Sequence, residues 1–326
     1  MTASVTGAGA AAVATESLGR VYHPQGRGRR RQTPVTALHD LTLMVDRGEV
    51  HGLLGPNGAG KSTLMKLLST ILLPSSGSAR VCGYDVVSQT AAVRRTIAIV
   101  FGGDRGLYPR LTGRQNLSYW AALYQLDHRM ARRRVDDLLD RFQLRDRADK
   151  RVETYSTGMR QRLHLARGLI SSPRLLLLDE PTNGLDPVAA AELRGTIREV
   201  AADGRTVLMA THDMAEAEAV CERVTLINHG ALVLTDSTRN LGTRVLRCER
   251  IEVVGASEVL LQRVRNLPGV TSVTASSPET ALIEVSSGGA VGPVLHDLVD
   301  AGVASVRTTP PSLEDVYLRL VGGRVG

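Results

Sequence analysis

Residues 50–68 read Val50-His51-Gly52-Leu53-Leu54-Gly55-Pro56-Asn57-Gly58-Ala59-Gly60-Lys61-Ser62-Thr63-Leu64-Met65-Lys66-Leu67-Leu68. A short apolar run enters a glycine-rich turn, and a helical pattern leaves it. The stretch satisfies G-x-x-x-x-G-K-[ST] in the strand–loop–helix context that this motif requires. Glycines at Gly55, Gly58 and Gly60, with Pro56, Asn57 and Ala59 between them, let backbone N–H groups wrap a polyphosphate. The following helix adds the positive end of its dipole. In this reading Lys61 reaches the β- and γ-phosphates, Ser62 holds Mg²⁺, and Thr63 bonds on the α-phosphate side. The expected ligand is a nucleoside triphosphate, and the expected fold class is α/β.

Working outward, Leu175-Leu176-Leu177-Leu178-Asp179-Glu180-Pro181 is the second half of such a site. Four leucines carry a strand through a sheet buried on both faces. Asp179 then emerges at the carboxyl end, where α/β sheets bind their ligands. Asp179 is placed to help hold Mg²⁺, and Glu180 to polarise the attacking water as general base. Thr206–Thr211 is another apolar strand, residues 37–54 alternate as strands, and residues 114–149 read as helices.

Composition narrows the class. The 326 residues include 43% hydrophobic and 22% charged, enough for a large core and against a disulfide-stapled miniprotein. Three scattered cysteines, Cys82, Cys221 and Cys248, make neither a disulfide framework nor a metal site. No run approaches the ~18 apolar residues of a membrane span. The net charge of +7 is spread along the chain except at Arg27, Arg29, Arg30 and Arg31, so a solvated surface explains it and nucleic acid is not expected as a partner. Residues 1–17, rich in Ala, Thr, Gly and Ser, are expected to be a disordered tail. From residue 241 to 326 the pattern is strand, helix, strand, strand, helix, strand and a last helix, a βαββαβ order that suggests a small ferredoxin-like α+β appendage. Ser312 with Asp315 three residues on marks the start of the last helix.

The motifs together resemble the nucleotide-binding subunit of an ATP-binding cassette (ABC) transporter, over about residues 18–240. Tyr155-Ser156-Thr157-Gly158-Met159 is similar to the family's LSGGQ signature, matching at Ser156 and Gly158 and departing at Tyr155, Thr157 and Met159. Asn183-Gly184-Leu185-Asp186 resembles the D-loop, and Thr211-His212-Asp213 the switch region. The resemblance implies a RecA-like mixed sheet core with a helical subdomain at about 104–165. It also implies that Tyr22 stacks on adenine, that His212 touches the γ-phosphate, and that Ser156–Met159 cap ATP held by the opposite subunit. Asp186 would lie at the same interface. ATP and Mg²⁺ are the implied cofactors; a second copy of the chain and an integral membrane permease are the implied partners.

One departure stands out. The family has a glutamine after the strand that leads into the helical subdomain, whereas this chain reads Val100-Phe101-Gly102-Gly103-Asp104-Arg105. Asp104 would replace it only if the loop folds back. Retention of Glu180 and His212 favours a working ATPase, with Lys61 the third catalytic candidate.

The stretches GLYPRLTGRQNL, YSTGMRQRL and PPSLEDVYLRL resemble ATPases of drug exporters of the daunorubicin-resistance kind. That resemblance implies an export motor at the cytoplasmic face of a bacterial membrane, with a drug, antibiotic or lipid-like cargo. Two other readings stay open: a soluble ABC ATPase acting on ribosomes or nucleic acid, and a weakly hydrolysing regulatory cassette in a heterodimer.

Overall fold

The computed structural model describes residues 11–23, 33–102, 106–238, 240–241, 248–275, 277, 279–286, 291–303, 305–309 and 311–322. The Arg27–Arg31 stretch and Asp104 lie outside the described residues. Two compact units make up the chain, Met1–Thr235 and Asp236–Gly326, so the second begins a few residues before the 240/241 boundary suggested by composition.

The first unit opens with β1 (Ala11–Tyr22), β2 (Val35–Leu41), β3 (Met44–Asp46), β4 (Val50–Leu54), α1 (Lys61–Leu68), β5 (Ser76–Val81), β6 (Tyr84–Asp85), α2 (Thr90–Thr96) and β7 (Ile97–Phe101). It continues with α3 (Gly113–Leu123), α4 (His128–Arg141), α5 (Thr157–Leu169), β8 (Leu175–Asp179), α6 (Pro187–Ala202), β9 (Thr206–Thr211), α7 (Met214–Val220), β10 (Arg223–Asn228) and β11 (Ala231–Ser237). A six-stranded sheet runs β11-β10-β4-β9-β8-β7, parallel from β10 to β7. Its central strands β4 and β9 are buried along their whole length and mostly apolar, as in a parallel sheet covered on both faces. That second, antiparallel sheet runs β2-β1-β5-β6, with β3 also on β1. Between the two sheets lies a core of Val13, Leu18, Leu41, Leu53, Leu177 and Leu208, joined by Leu64, Met65, Leu67 and Leu68 of α1.

The expected disordered tail must be corrected. Residues 11–17 belong to β1, and residues 1–10 lie outside the described residues. Tertiary pairing overrides the low-complexity composition: Ala11, Ala12 and Val13 are buried, and Val13 pairs with both Val45 and Val81. The Thr15 hydroxyl donates to the Leu41 carbonyl at 2.8 Å and accepts from the Leu43 N–H at 2.9 Å.

Helices α3, α4 and α5 sit between β7 and β8 in sequence. A capping box of Thr112 and Gln115 starts α3. The joint from β7 into α3 is tied down by Trp120, whose Nε1 donates to the Gly106 carbonyl at 3.0 Å. The Arg167 guanidinium stacks over the Trp120 ring at 4.9 Å, and its Nη2 donates to the Ile99 carbonyl of β7 at 3.2 Å. Burial lowers the Arg167 pKa from its ordinary value.

The second unit contains β12 (Cys248–Val254), α8 (Glu258–Arg265), β13 (Val270–Ala275), β14 (Thr280–Ser286), α9 (Val291–Asp300), β15 (Ser305–Thr309) and α10 (Leu313–Tyr317). Its antiparallel sheet has the order β13-β14-β12-β15, the ferredoxin-like arrangement of a βαββαβ chain. Ile251, Val253, Ile283 and Val285 point from one sheet face into a core shared with Leu260, Val264, Val294 and Leu298 of the two longer helices. Arg250 bridges Glu284, at 2.8 Å, and Asp315. Asp315 also completes the capping box with Ser312.

Burial works to raise the Asp315 pKa, but the hydrogen bonds from Ser312 and the Arg250 charge outweigh it and hold the carboxyl below its ordinary value. A depressed carboxylate contributes stability that is present above the unfolded pKa of about 3.9 and is lost as pH falls through the folded one. The second unit should therefore unfold at progressively lower denaturant concentration as the pH is lowered below about 4, and Asp315→Asn should flatten that dependence. An unchanged slope in the variant would remove Asp315 as its source.

Candidate nucleotide site

The parallel register aligns the carboxyl ends of four strands. Leu54 pairs with Thr211, Asp179 with Ala210, and Phe101 with Asp179. All five residues of β4 are buried, and the chain leaves that strand directly into the phosphate loop. Gly60 precedes α1 with φ 109°, and a Cβ there would lie 2.6 Å from Leu38 Cδ2 and 2.7 Å from the Ala37 carbonyl. Only glycine fits, by conformation and by space. The Gly230 N–H donates to the Ala59 carbonyl at 2.9 Å and backs the loop from the β10–β11 turn.

Lys61 is 5% exposed and folds back over the loop, donating to the Gly55 carbonyl at 2.6 Å and the Pro56 carbonyl at 3.2 Å. Its Nζ stands 3.8 Å from Glu180 Oε1. Burial lowers the Lys61 pKa, against the raising influence of Glu180 and Asp179. The other Glu180 oxygen, Oε2, lies 2.6 Å from His212 Nδ1. Glu180 is thus held between two basic groups. Its backbone is in the left-handed region, φ 52°, which a side chain tolerates only when neighbours over-determine it. One such constraint is the bond from the Glu180 N–H to the Ala210 carbonyl, 2.9 Å.

Ser62 Oγ donates to Asp179 Oδ1 at 3.2 Å. Two hard oxygen donors side by side at the foot of a phosphate loop suit Mg²⁺, which takes few protein ligands and completes its shell with phosphate and water. Tyr22, at the end of β1, lies beside the loop, its hydroxyl 3.4 Å from Thr63 Oγ1 and its ring under the Arg20 guanidinium at 5.0 Å. The cleft holds about 650 Å³; Asn57, Gly58, Lys61, Asp179, Glu180 and His212 are among its lining residues.

The remaining residues singled out from sequence are gathered elsewhere. Ser156, Thr157, Gly158 and Asp186 line a second cleft of about 480 Å³. Ser156 caps α5 by accepting from the Met159 N–H at 3.2 Å, and Asp186 caps α6 by accepting from Val188 and Ala189, each at 3.0 Å. The residues singled out from sequence thus fall in two separate clefts.

Sequence reading missed Glu216. It is buried, accepts from the Thr182 hydroxyl at 2.6 Å, and anchors the segment between Glu180 and the D-loop. Burial raises the Glu216 pKa, and the Thr182 and Thr211 hydrogen bonds oppose that rise. The signal was present as Asp213-x-x-Glu216, in which the Asp213 side chain caps α7 by accepting from the Glu216 N–H at 3.0 Å.

The missing glutamine has a steric counterpart. A Cβ on Gly102 would lie 3.1 Å from the Asp179 carbonyl and 3.2 Å from the Glu180 carbonyl. Gly102→Gln should therefore push the Asp179–Glu180 backbone. We expect a stability loss of about 1–3 kcal/mol, as for other overpacked sites, together with slower hydrolysis. A Gly102→Gln variant as stable as the parent, with faster turnover, would show that the backbone yields freely.

Known proteins place this geometry. The family model described as ABC transporter matches residues 38–183. The daunorubicin resistance ATP-binding protein DrrA3 of Streptomyces coeruleorubidus is 41% identical over 299 residues, 88% of this chain and 91% of that protein. The chain belongs to the ABC transporter ATP-binding protein family. The Nod factor export ATP-binding protein I of Burkholderia thailandensis is 38% identical over 284 residues, 86% of this ABC protein and 91% of its relative. The dimeric, post-hydrolysis structure of the ATP-binding cassette MJ0796 bound to ADP and Pi superposes with a TM-score of 0.60 at 25% identity, covering 69% of this chain and 98% of that one. This ABC protein is an ATPase, and among its described residues no helix is long and apolar enough to cross a membrane.

Proposed function

We propose that this chain is the ATP-hydrolysing motor of an ABC exporter, peripheral to the cytoplasmic face of a bacterial membrane and bound to separate permease subunits. The observation that carries the reading is the extent of the likeness to the daunorubicin-resistance protein: 299 residues, well beyond the span of 38–183 matched by the cassette model. Cargo of the drug, antibiotic or lipid-like class follows from the same relatives.

In this reading ATP lies in the larger cleft with its phosphates along Gly55–Thr63 and its adenine toward Tyr22. Lys61 sheds its loop carbonyls for phosphate oxygens. Ser62 and Asp179 would hold Mg²⁺, which would supply charge neutralisation at the phosphates. A water attacks the γ-phosphorus, the bond to the β–γ bridging oxygen breaks, and Glu180 takes the proton while His212 orients it. The separation of the two clefts supports a head-to-tail homodimer, in which Ser156–Met159 and Asp186 of one copy close on the nucleotide of the other.

The test is an affinity pull-down of the tagged chain from detergent-solubilised native cells. A multi-span membrane protein in stoichiometric amount is expected. Ribosomal proteins or nucleic acid without a permease would overturn the export reading.

A further inference from the structure

The first two turns of α4 hold an arrangement that helix energetics disfavours. His128, Arg129, Arg132 and Arg133 stand at the positive end of the helix dipole, while Asp136, Asp137 and Asp140 stand in its later turns. Cations favour the opposite end. The single acid beside them, Asp127, is occupied as the N-cap, accepting from the Arg129 and Met130 N–H groups.

Two of the three later acids are engaged, Asp136 with Arg114 and Asp140 with Arg145, and Asp137 is exposed on the same helix. By contrast His128, Arg129, Arg132 and Arg133 form no ion pair among the described residues, and all four are exposed. Arg134 differs, since it donates to the Leu169 carbonyl at 2.9 Å and is structural.

Two large apolar side chains are exposed at this end of the α3–α4 pair, Met130 at 64% on α4 and Leu123 at 53% at the end of α3. Tyr124 faces another cleft, beside Trp120 and Arg167. A cleft of about 700 Å³ between α3 and α4 has room for a phosphate headgroup; its wall is part cationic, from His128, Arg132 and Arg145, part apolar, from Leu126 and Val135, and also carries the Arg114–Asp136 pair. Unpaired arginines around apolar side chains are the chemistry of a membrane–water interface facing anionic lipid.

We propose that the α3–α4 tip is an anionic-lipid docking surface, in which Arg129, Arg132 and Arg133 bind phosphate headgroups while Leu123 and Met130 enter the interfacial layer. The proposal rests on the exporter reading for its location, because a permease would bring the chain to a membrane. It adds a second attachment that does not pass through the permease.

The test uses the purified full-length chain and vesicles, without permease. Cosedimentation is expected with vesicles containing phosphatidylglycerol, not with pure phosphatidylcholine, and should fall as salt is raised. Each arginine near an anionic surface contributes about fivefold in partitioning. Arg129→Ala/Arg132→Ala/Arg133→Ala should therefore weaken vesicle binding about 100-fold while leaving ATP affinity unchanged, which reports that the cassette is folded. Leu123→Ser/Met130→Ser should also weaken binding at constant charge.

Equal binding to both vesicle types would overturn the proposal. So would full binding by the triple arginine variant, or binding that vanishes instead in an Arg27/Arg29/Arg30/Arg31→Ala chain. If the triple variant binds vesicles as the parent does but loses the permease in pull-downs, the surface is a protein interface and the lipid assignment fails. A parent chain that captures a permease yet ignores vesicles would refute this proposal alone.

Discussion

Glu180→Gln is expected to cut ATP turnover by about 10²–10⁴-fold, the usual contribution of a positioned general base, while ATP binding persists. Glutamine matches the size of glutamate and keeps a polar group within reach of His212, now 2.6 Å from Glu180 Oε2. It cannot take the proton of the attacking water. It also removes the negative charge 3.8 Å from Lys61 Nζ, so the lysine loses one of the two influences that raise its pKa. With binding intact and hydrolysis blocked, the ATP-loaded dimer should accumulate. Steady-state phosphate release and size-exclusion chromatography with ATP check both halves. Undiminished turnover would remove Glu180 from the proton transfer.

Lys61→Ala should abolish nucleotide binding instead. Lys61 makes two charge-assisted hydrogen bonds to the Gly55 and Pro56 carbonyls, and in the proposed complex these would be exchanged for phosphate oxygens. Hydrogen bonds to charged groups are worth about 1.5–3 kcal/mol each, so two of them correspond to a loss of roughly 10²–10⁴-fold in ATP affinity. The alanine variant also leaves two inward-facing carbonyls short of a donor, so its unfolding midpoint should drop. Lys61→Arg is not a conservative replacement, because a planar guanidinium does not fit where a single ammonium meets both carbonyls. Calorimetric titration with Mg·ATP reads the affinity. A variant that still binds within a few-fold of the parent would place the phosphates away from Lys61.

Much of this was legible in the order of residues. The phosphate loop, the buried leucine strand and the switch histidine carry their own spacing rules, and the structure sets Lys61, Ser62, Asp179, Glu180 and His212 within one cleft. The ferredoxin-like unit was readable because strand-like and helix-like stretches follow one another in order, β14 alternating in burial and the two longer helices burying residues at helical spacing. What sequence could not express were contacts between segments distant along the chain. Ala11–Ser17 looks like a tail until Val13 is set between Val45 and Val81. Gly102 looks like a missing side chain until the Asp179 and Glu180 carbonyls are found against it. The left-handed backbone of Glu180 has no marker either, since glutamate has no preference for that conformation. Glu216 was hidden for another reason: Asp213-x-x-Glu216 reads the same whether the glutamate is an exposed helix-start residue or, as here, buried.

The chain has one tryptophan, and it stands at the joint between β7 and α3. An indole pressed by a guanidinium on its face and fixed through its N–H senses displacement of either neighbour as a change in colour and yield. Gly106 belongs to the connection that leaves the nucleotide sheet, and Arg167 is bonded to that sheet at Ile99. The protein therefore carries an unlabelled optical gauge at the joint between β7 and α3, read from tryptophan emission excited apart from that of the seven tyrosines.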